Sequence, residues 1–327
     1  MGRSGSWRKA FEIALQSGFD LAERNGSLLI PETRSQVDAC RLRCDMGVVT
    51  EPQWGMFARA SYWERLSPSA RTLHILRGLQ DKHPGWCFCG ISAAVVYGLP
   101  VSSAHFGETH VISPHGVRID VRNRVRVHVR KGYRVHRLLG VRVTSLERTV
   151  FDCIRDLEFC EALAVADACL RRYGLSQENL LAFVRDKGRG ARGVARARRV
   201  LACSNGLSES WGESVARGLM IKLGFAAPEL QVIIDLPHEL GGPRRVDFLW
   251  RLPDGTLIIG EFDGKVKYRD AGMLRGRDAV DVLVEERQRE SRLSSTHAAI
   301  VRFTYDDLRD SSRFAELLDS FGVPRAA

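Results

Sequence analysis

The chain has 327 residues, 44% hydrophobic and 27% charged, with 49 Lys and Arg against 39 Asp and Glu, giving a net charge of +10. That length is enough for two or three domains with cores of their own, and the basic excess points to a polyanionic partner, most economically nucleic acid. There is no apolar run of membrane-spanning length, and the polar start Met1-Gly2-Arg3-Ser4-Gly5-Ser6 lacks a signal-peptide core, so a cytoplasmic protein that neither spans nor binds a membrane is expected. The cysteines at 40, 44, 87, 89, 153, 160, 169 and 203 are scattered, with no Cys-x-x-Cys pair. The histidines form no metal motif, and neither a P-loop nor a Gly-x-Ser-x-Gly elbow is present.

Residues 1–64 read as a small helical unit followed by a hairpin. Helices are predicted over Trp7 to Gln16, Phe19 to Arg24 and Ser35 to Asp45, then two short strands between Gly47 and Ala58. This is the shape of a winged helix-turn-helix, with Gln36, Arg41 and Arg43 as candidate DNA contacts and Arg59 near the wing.

Residues 65–200 read as a mixed α/β domain ending in a basic linker helix. Val117 to Arg130 alternates as a long strand, with Arg122, Arg124, Arg126, His128 and Arg130 on one face and Val125, Val127 and Val129 on the other. A one-sided row of guanidiniums repels itself, so it serves either a nucleic-acid or acidic-protein surface or a solvated sheet face. Thr144 reads as the N-cap of a helix through about Ile154, its Thr-x-x-Glu spacing to Glu147 being that of a capping box. Thr144, Glu147, Arg148 and Asp152 form a site in the alternative reading. Leu163 to Arg172 is amphipathic, with Asp167 expected to pair with an arginine. A second basic run, from Lys187 through Arg192 and Arg196 to Arg199, leaves a glycine-rich linker and enters a helix, suited to a phosphate backbone.

In residues 205–327 a helix is predicted from a capping Ser208, with Glu209, Glu213 and Arg217 four apart on one face. They form either a solvated charge ladder or a functional acid. Two apolar strands follow, Arg244 to Trp250 and Leu257 to Asp263. Pro253-Asp254-Gly255 suits a three-residue loop, which sets Leu252 against Thr256 and Asp247 against Glu261. Asp263 and Lys265 then extend the same face. Carboxylates in otherwise buried strands need a partner, and a divalent metal is one; a polar strand end and turn is the other reading.

The ordered set of an acid on a helix, Val246-Asp247-Phe248 and then Glu261-Phe262-Asp263-Gly264 resembles the PD-(D/E)XK restriction-endonuclease-like superfamily, within it the short-patch-repair (Vsr-like) group. Glu285 to Leu293 and Ile300 to Thr304 look like that group's Glu-x-x-Arg helix and following strand. The resemblance implies Mg²⁺ or Mn²⁺ on Asp247 and Glu261, with Asp263 or Glu213 completing the shell and Glu209 as rival to Glu213. Asp263 stands where the superfamily usually has its lysine, so Lys265 would reach back, and Lys267 and Tyr268 occupy the neighbourhood of a common histidine. Further upstream, Ile91 to Pro100 and Gly140 to Asp152 look like segments of the AbiEi antitoxins of type IV toxin-antitoxin systems. That likeness implies a winged-helix DNA reader joined to an α/β domain, with a cognate toxin as partner. Together the two imply a multidomain α/β protein that binds DNA and hydrolyses phosphodiesters with Mg²⁺. The alternative is a non-catalytic regulator or antitoxin with a degenerate nuclease fold.

Overall fold

A computed structural model describes residues 2–116, 124–235, 243–264 and 299–326. The fold is mixed α/β with several sheets, and the chain divides into two compact units, residues 1–153 and 154–327.

In the first unit, helix α1 (Gly2–Arg24) is continuous across Ser17-Gly18, where two helices are expected from the sequence. The reason is packing: a Cβ on Gly18 would lie 2.9 Å from Leu29 Cδ1, so the glycine lets the helix lie on Leu29 rather than breaking it. Helix α2 (Arg34–Asp45) starts with a capping box from Thr33 and Gln36 and leads into the hairpin β1 (Val49–Gln53) and β2 (Met56–Arg59). Leu15, Phe19, Cys40, Val49 and Phe57 fill the space between them.

Helices α3 (Ala60–Arg65), α4 (Pro68–Lys82), α5 (Gly90–Val96) and α6 (Leu146–Asp156) accompany a five-stranded sheet of order β5-β4-β3-β7-β6. Its strands are β3 (Cys87–Phe88), β4 (Thr109–Ser113), β5 (Val125–Val129), β6 (Val135–Leu138) and β7 (Val141–Thr144). The start of α6 differs from the expected Thr144 cap. Thr144 ends β7, buried, with its Oγ1 2.8 Å from that of Thr149, and the Ser145 hydroxyl accepts the Arg148 amide instead. Arg148 and Asp152 form an i,i+4 ion pair at 2.8 Å, which accounts for two of the four side chains in the alternative site.

The second unit opens with α7 (Phe159–Tyr173), α8 (Gln177–Lys187), α9 (Val194–Cys203) and α10 (Trp211–Lys222). A four-stranded sheet of order β11-β10-β9-β8 follows, made of β8 (Glu229–Ile234), β9 (Arg244–Arg251), β10 (Leu257–Asp263) and β11 (Ala299–Thr304), and then α11 (Ser311–Ser320). Strands β8, β9 and β10 are antiparallel neighbours, and β10 and β11 run parallel. One face of the sheet carries Phe248, Trp250, Ile258 and Phe303 against Ala216, Leu219 and Met220 of α10 and Phe314 of α11. The other holds Ile234, Val246, Leu249 and Ile259, with Ile300 packed beside them.

A boundary near residue 200 would cut through a buried ion pair. Asp167 of α7, 0% exposed, accepts two hydrogen bonds from Arg217 Nη2 of α10 at 2.7 and 2.9 Å. Its remaining acceptor capacity goes to the Ser214 hydroxyl and the Asn205 amide. The arginine expected to partner Asp167 is thus one turn beyond Glu213 on the same helix.

Candidate functional site

The site is built on the β9–β10 hairpin. The loop is of the three-residue kind: the Leu252 amide donates to Thr256 O, the Gly255 amide to Leu252 O, and Gly255 has φ +88°. The ladder runs Leu257 to Arg251, Ile258 to Trp250, Ile259 to Leu249 and Gly260 to Phe248. One step further in this register stand Glu261 and Asp247.

At that step the sheet departs from regular alternation. Val246 packs with Ile259 on one face, whereas Phe248, two residues on, packs with Trp250 and α10 on the other. In the neighbouring strand Gln231 has φ +54°, the left-handed region that a non-glycine residue seldom enters, and the β8–β9 pairing passes from Leu230–Phe248 to Val232–Val246 around it. Asp247 therefore sits at a break. Its Oδ2 accepts the Phe262 amide at 3.0 Å, and Gln231 Nε2 lies 3.5 Å from its Oδ1.

Helix α10 brings Glu213 to the same place. Its N-cap is Ser210, whose hydroxyl accepts the Glu213 amide at 3.1 Å, rather than the expected Ser208. Glu209 therefore precedes the helix, and the i,i+4 ladder of Glu209, Glu213 and Arg217 does not form: Glu209 pairs with Arg245 at 2.8 Å and Arg217 with Asp167. Glu213, 8% exposed, accepts the Glu209 amide on Oε2 at 2.8 Å and Gln231 Nε2 on the same oxygen at 3.0 Å. Gly212 permits this approach, since a Cβ there would lie 2.1 Å from the Phe262 ring. Burial lifts the Glu213 carboxyl above the usual range. Hydrogen bonds from Ser210 and the Glu209 amide pull it back, and the Asp247 and Glu209 charges push it further up.

The other expected site residues are arranged differently. Glu261, 5% exposed, follows Ile259 in the strand alternation and lies opposite Arg302 of β11, with Oε2 3.4 Å from Arg302 Nη2. The register that the loop length predicts holds through Gly260 and Phe248, and one step beyond it the carboxylates of Asp247 and Glu261 turn to different partners because the break at Gln231 and Asp247 redirects one of them towards α10. Asp263 closes β10, half-buried. Lys265, Lys267, Tyr268 and Glu285 to Leu293 lie outside the described residues. Among the described residues no three or more His, Cys, Asp and Glu side chains gather as a metal group. Glu213 and Asp247 with the Gln231 amide make a smaller oxygen-rich set that such a grouping leaves out.

One further feature fits a cation. Gln231 Oε1 is buried and has no hydrogen-bond partner among the described residues, although it belongs to the amide whose nitrogen joins the two carboxylates. Two carboxylates and an amide oxygen are hard donors of the kind Mg²⁺ and Mn²⁺ take, with water and substrate phosphate filling the rest of the shell. Neither Gln231 nor Arg302 stands out in the sequence: the glutamine lies in an ordinary strand pattern, and only its backbone conformation marks it.

The expected nucleic-acid contacts divide into engaged and available groups. Gln36 caps α2, accepting the Glu32 and Thr33 amides. Arg43 makes two 2.7 Å bonds to Glu12, and Arg41 lies 4.7 Å over the Trp54 ring and 3.8 Å from Glu51. Arg59 binds Asp20 and Glu23. Of the expected long basic strand, residues 117–123, Arg122 among them, lie outside the described residues. Arg124 has φ +45° and precedes β5, an edge strand of five residues. Arg126 pairs with Glu108 at 2.9 Å, Arg130 donates to its neighbour Val129 O, and His128 faces His110 at 3.2 Å. Arg196 donates to Leu157 O at 3.1 Å while remaining exposed. Arg192 and Arg198 are exposed and make no hydrogen bond or ion pair among the described residues. Close by in sequence, Arg185 and Arg189 line a shallow cleft with Ala182 and Asp186.

The fold and this site define a mixed α/β protein of two units, the second carrying a buried glutamate and a half-buried aspartate at a break in its sheet. No model of a known protein family matches the chain. Over 222 residues it is 33% identical to the uncharacterized protein Rv2248 of Mycobacterium tuberculosis strain ATCC 25618 / H37Rv and, to the same extent, to the uncharacterized protein MT2308 of strain CDC 1551 / Oshkosh. Each match covers 68% of this chain and 75% of the relative. The chain belongs to the family of these mycobacterial proteins. Among the described residues no helix is long and apolar enough to cross a membrane.

Proposed function

We propose that the protein is a cytoplasmic DNA-binding protein whose second unit is a divalent-metal-dependent endonuclease of the restriction-endonuclease-like kind. The observation that carries this reading is the set Glu213, Gln231 and Asp247, held at a strained break where the first turn of α10 meets the middle of β8 and β9. Support also comes from the order of elements among the described residues, a helix, three antiparallel strands and a fourth strand parallel to the third, which suits the resemblance to restriction-endonuclease-like proteins.

Glu213 and Asp247 would hold Mg²⁺ or Mn²⁺, and when bound the metal would supply Lewis acidity and an activated water for attack on a phosphodiester. The chain's own groups do the rest. The Glu209 amide and Ser210 hydroxyl fix α10 so that Glu213 faces Asp247, and the Phe262 amide fixes the Asp247 rotamer. The resemblance adds Glu261 and Asp263 as further acids and Lys265 as the cation beside the developing charge. Arg192, Arg196 and Arg198, exposed in and just before α9, would contact the DNA backbone, and the first unit, including Arg124, Arg126 and Arg130, would supply further contacts.

A second reading is a non-catalytic DNA-binding regulator or antitoxin with a cognate toxin as partner. It is favoured by Glu261, whose carboxylate is paired with Arg302. A supercoiled-plasmid assay with Mn²⁺ separates the two. The endonuclease reading expects nicked or linear product from wild type, reduced about 100-fold or more in Asp247→Asn and Glu213→Gln. No product, alongside a mobility shift on the protein's own promoter that weakens steeply with salt, would replace it by the regulator reading.

A further inference from the structure

Gln231 draws attention for three independent reasons. It is a non-glycine residue in left-handed conformation within a strand, which is strained unless its surroundings compensate. Its Nε2 lies between two carboxylates, 3.0 Å from Glu213 Oε2 and 3.5 Å from Asp247 Oδ1. Its Oε1 is buried without a partner among the described residues, and leaving such an acceptor unsatisfied is costly. A purely structural hydrogen bond would explain the second fact and neither of the others.

We infer that Gln231 is an oxygen ligand of the metal site, a step that rests on the metal-dependent reading above. In the conformation seen, the amide nitrogen donates to both acids and offsets their repulsion. The two ends of a carboxamide exchange places by rotation about one soft side-chain torsion. Rotation brings Oε1 to the side of Glu213 and Asp247, giving three hard oxygens from β8, β9 and α10. A divalent cation then takes over the neutralising role of the NH₂ group. The left-handed backbone at Gln231 aims its side chain at the acids, and this explains why the strain sits at that residue rather than elsewhere in β8.

The test uses the full chain and Mn²⁺ itself, read by the loss of the free-ion electron paramagnetic resonance signal and by the melting temperature with and without metal. Gln231→Leu is expected to weaken Mn²⁺ binding about 10-fold or more, in line with the loss of a ligand or its support. Gln231→Glu, which keeps an oxygen and adds charge while losing the NH₂ donors, is expected to bind Mn²⁺ at least as tightly as wild type. It should also melt lower than wild type without metal and recover with Mn²⁺. If wild type binds Mn²⁺ and Gln231→Leu binds it equally well, or Gln231→Glu loses affinity as Gln231→Leu does, Gln231 is not a ligand and the endonuclease reading stands. If wild type itself binds no Mn²⁺, both are overturned. Should a variant fail to fold, Gln231→Asn, which keeps the amide but shortens its reach, is expected to weaken Mn²⁺ binding, and wild-type affinity in it would count against the ligand role.

Discussion

Replacing Arg217 by methionine is expected to destabilise the full chain by about 3–5 kcal/mol, the usual effect of stripping the partner from a buried charge. Asp167 is 0% exposed and draws on Arg217, Ser214 and Asn205. Burial pushes its carboxyl above the ordinary range, and the Arg217 charge pulls it back. Without the guanidinium, the carboxylate either stays charged in an apolar setting or takes a proton. Arg217 also donates to Cys203 O, so its loss frees the end of α9 as well. Asp167→Leu combined with Arg217→Met should recover much of the loss, because the desolvation cost of both charges disappears together. Urea unfolding of wild type and the two variants checks this, and a loss below about 1 kcal/mol in Arg217→Met would mean that the pair is not what joins α7 to α10.

The second large effect is a loss of stability in mild acid that traces to His110. Its ring, carried by β4, is largely covered, with Nδ1 3.2 Å from Nε2 of His128 on β5. Burial holds its pKa down at about 4, and the charges of His128, Arg126 and His105 add to the shift. The nearby Glu108 does little to oppose this, since its carboxylate binds Arg126 at 2.9 Å and stands 3.7 Å from His110. The folded pKa lies below the unfolded value, so the unfolded chain takes up the proton first. The stabilisation is complete above about pH 6.5 and is lost as the pH falls towards 4, a total of about 3 kcal/mol. His110→Gln should flatten that part of the stability curve relative to wild type. An identical slope between pH 6.5 and 4 in the two proteins would show that His110 titrates alike in the folded and unfolded states.

What the sequence revealed and what it concealed follow from the range of the interactions. The β9–β10 hairpin is legible because a three-residue loop ending in glycine determines its own register, and that register holds from Leu257 and Arg251 to Gly260 and Phe248. Asp167 was recognised as needing an arginine, because a carboxylate on an apolar helix face has few alternatives. The break at Gln231 was not legible. It arises from two strands changing face together, and nothing in Glu-Leu-Gln-Val-Ile-Ile distinguishes that from a plain strand. The start of α10 is not fixed by the sequence, because Ser208 and Ser210 are both good caps and only tertiary packing selects Ser210. That two-residue difference removes Glu209 from the helix and leaves Glu213 as the acid facing Asp247. Arg41, Arg43 and Arg126 looked available as basic residues, but acidic partners distant in sequence engage each of them. The mixed α/β architecture followed from the alternation of apolar periods, whereas the continuity of α1 depended on Gly18 meeting Leu29.

Calorimetric titration of Mn²⁺ into wild type and Asp247→Ala tests most directly whether the acids at the sheet break hold a cation. Saturable heat from wild type, in the micromolar to low-millimolar range and absent from a still-folded Asp247→Ala, is the result expected. Identical heats from the two proteins would remove the metal site, and the endonuclease reading with it.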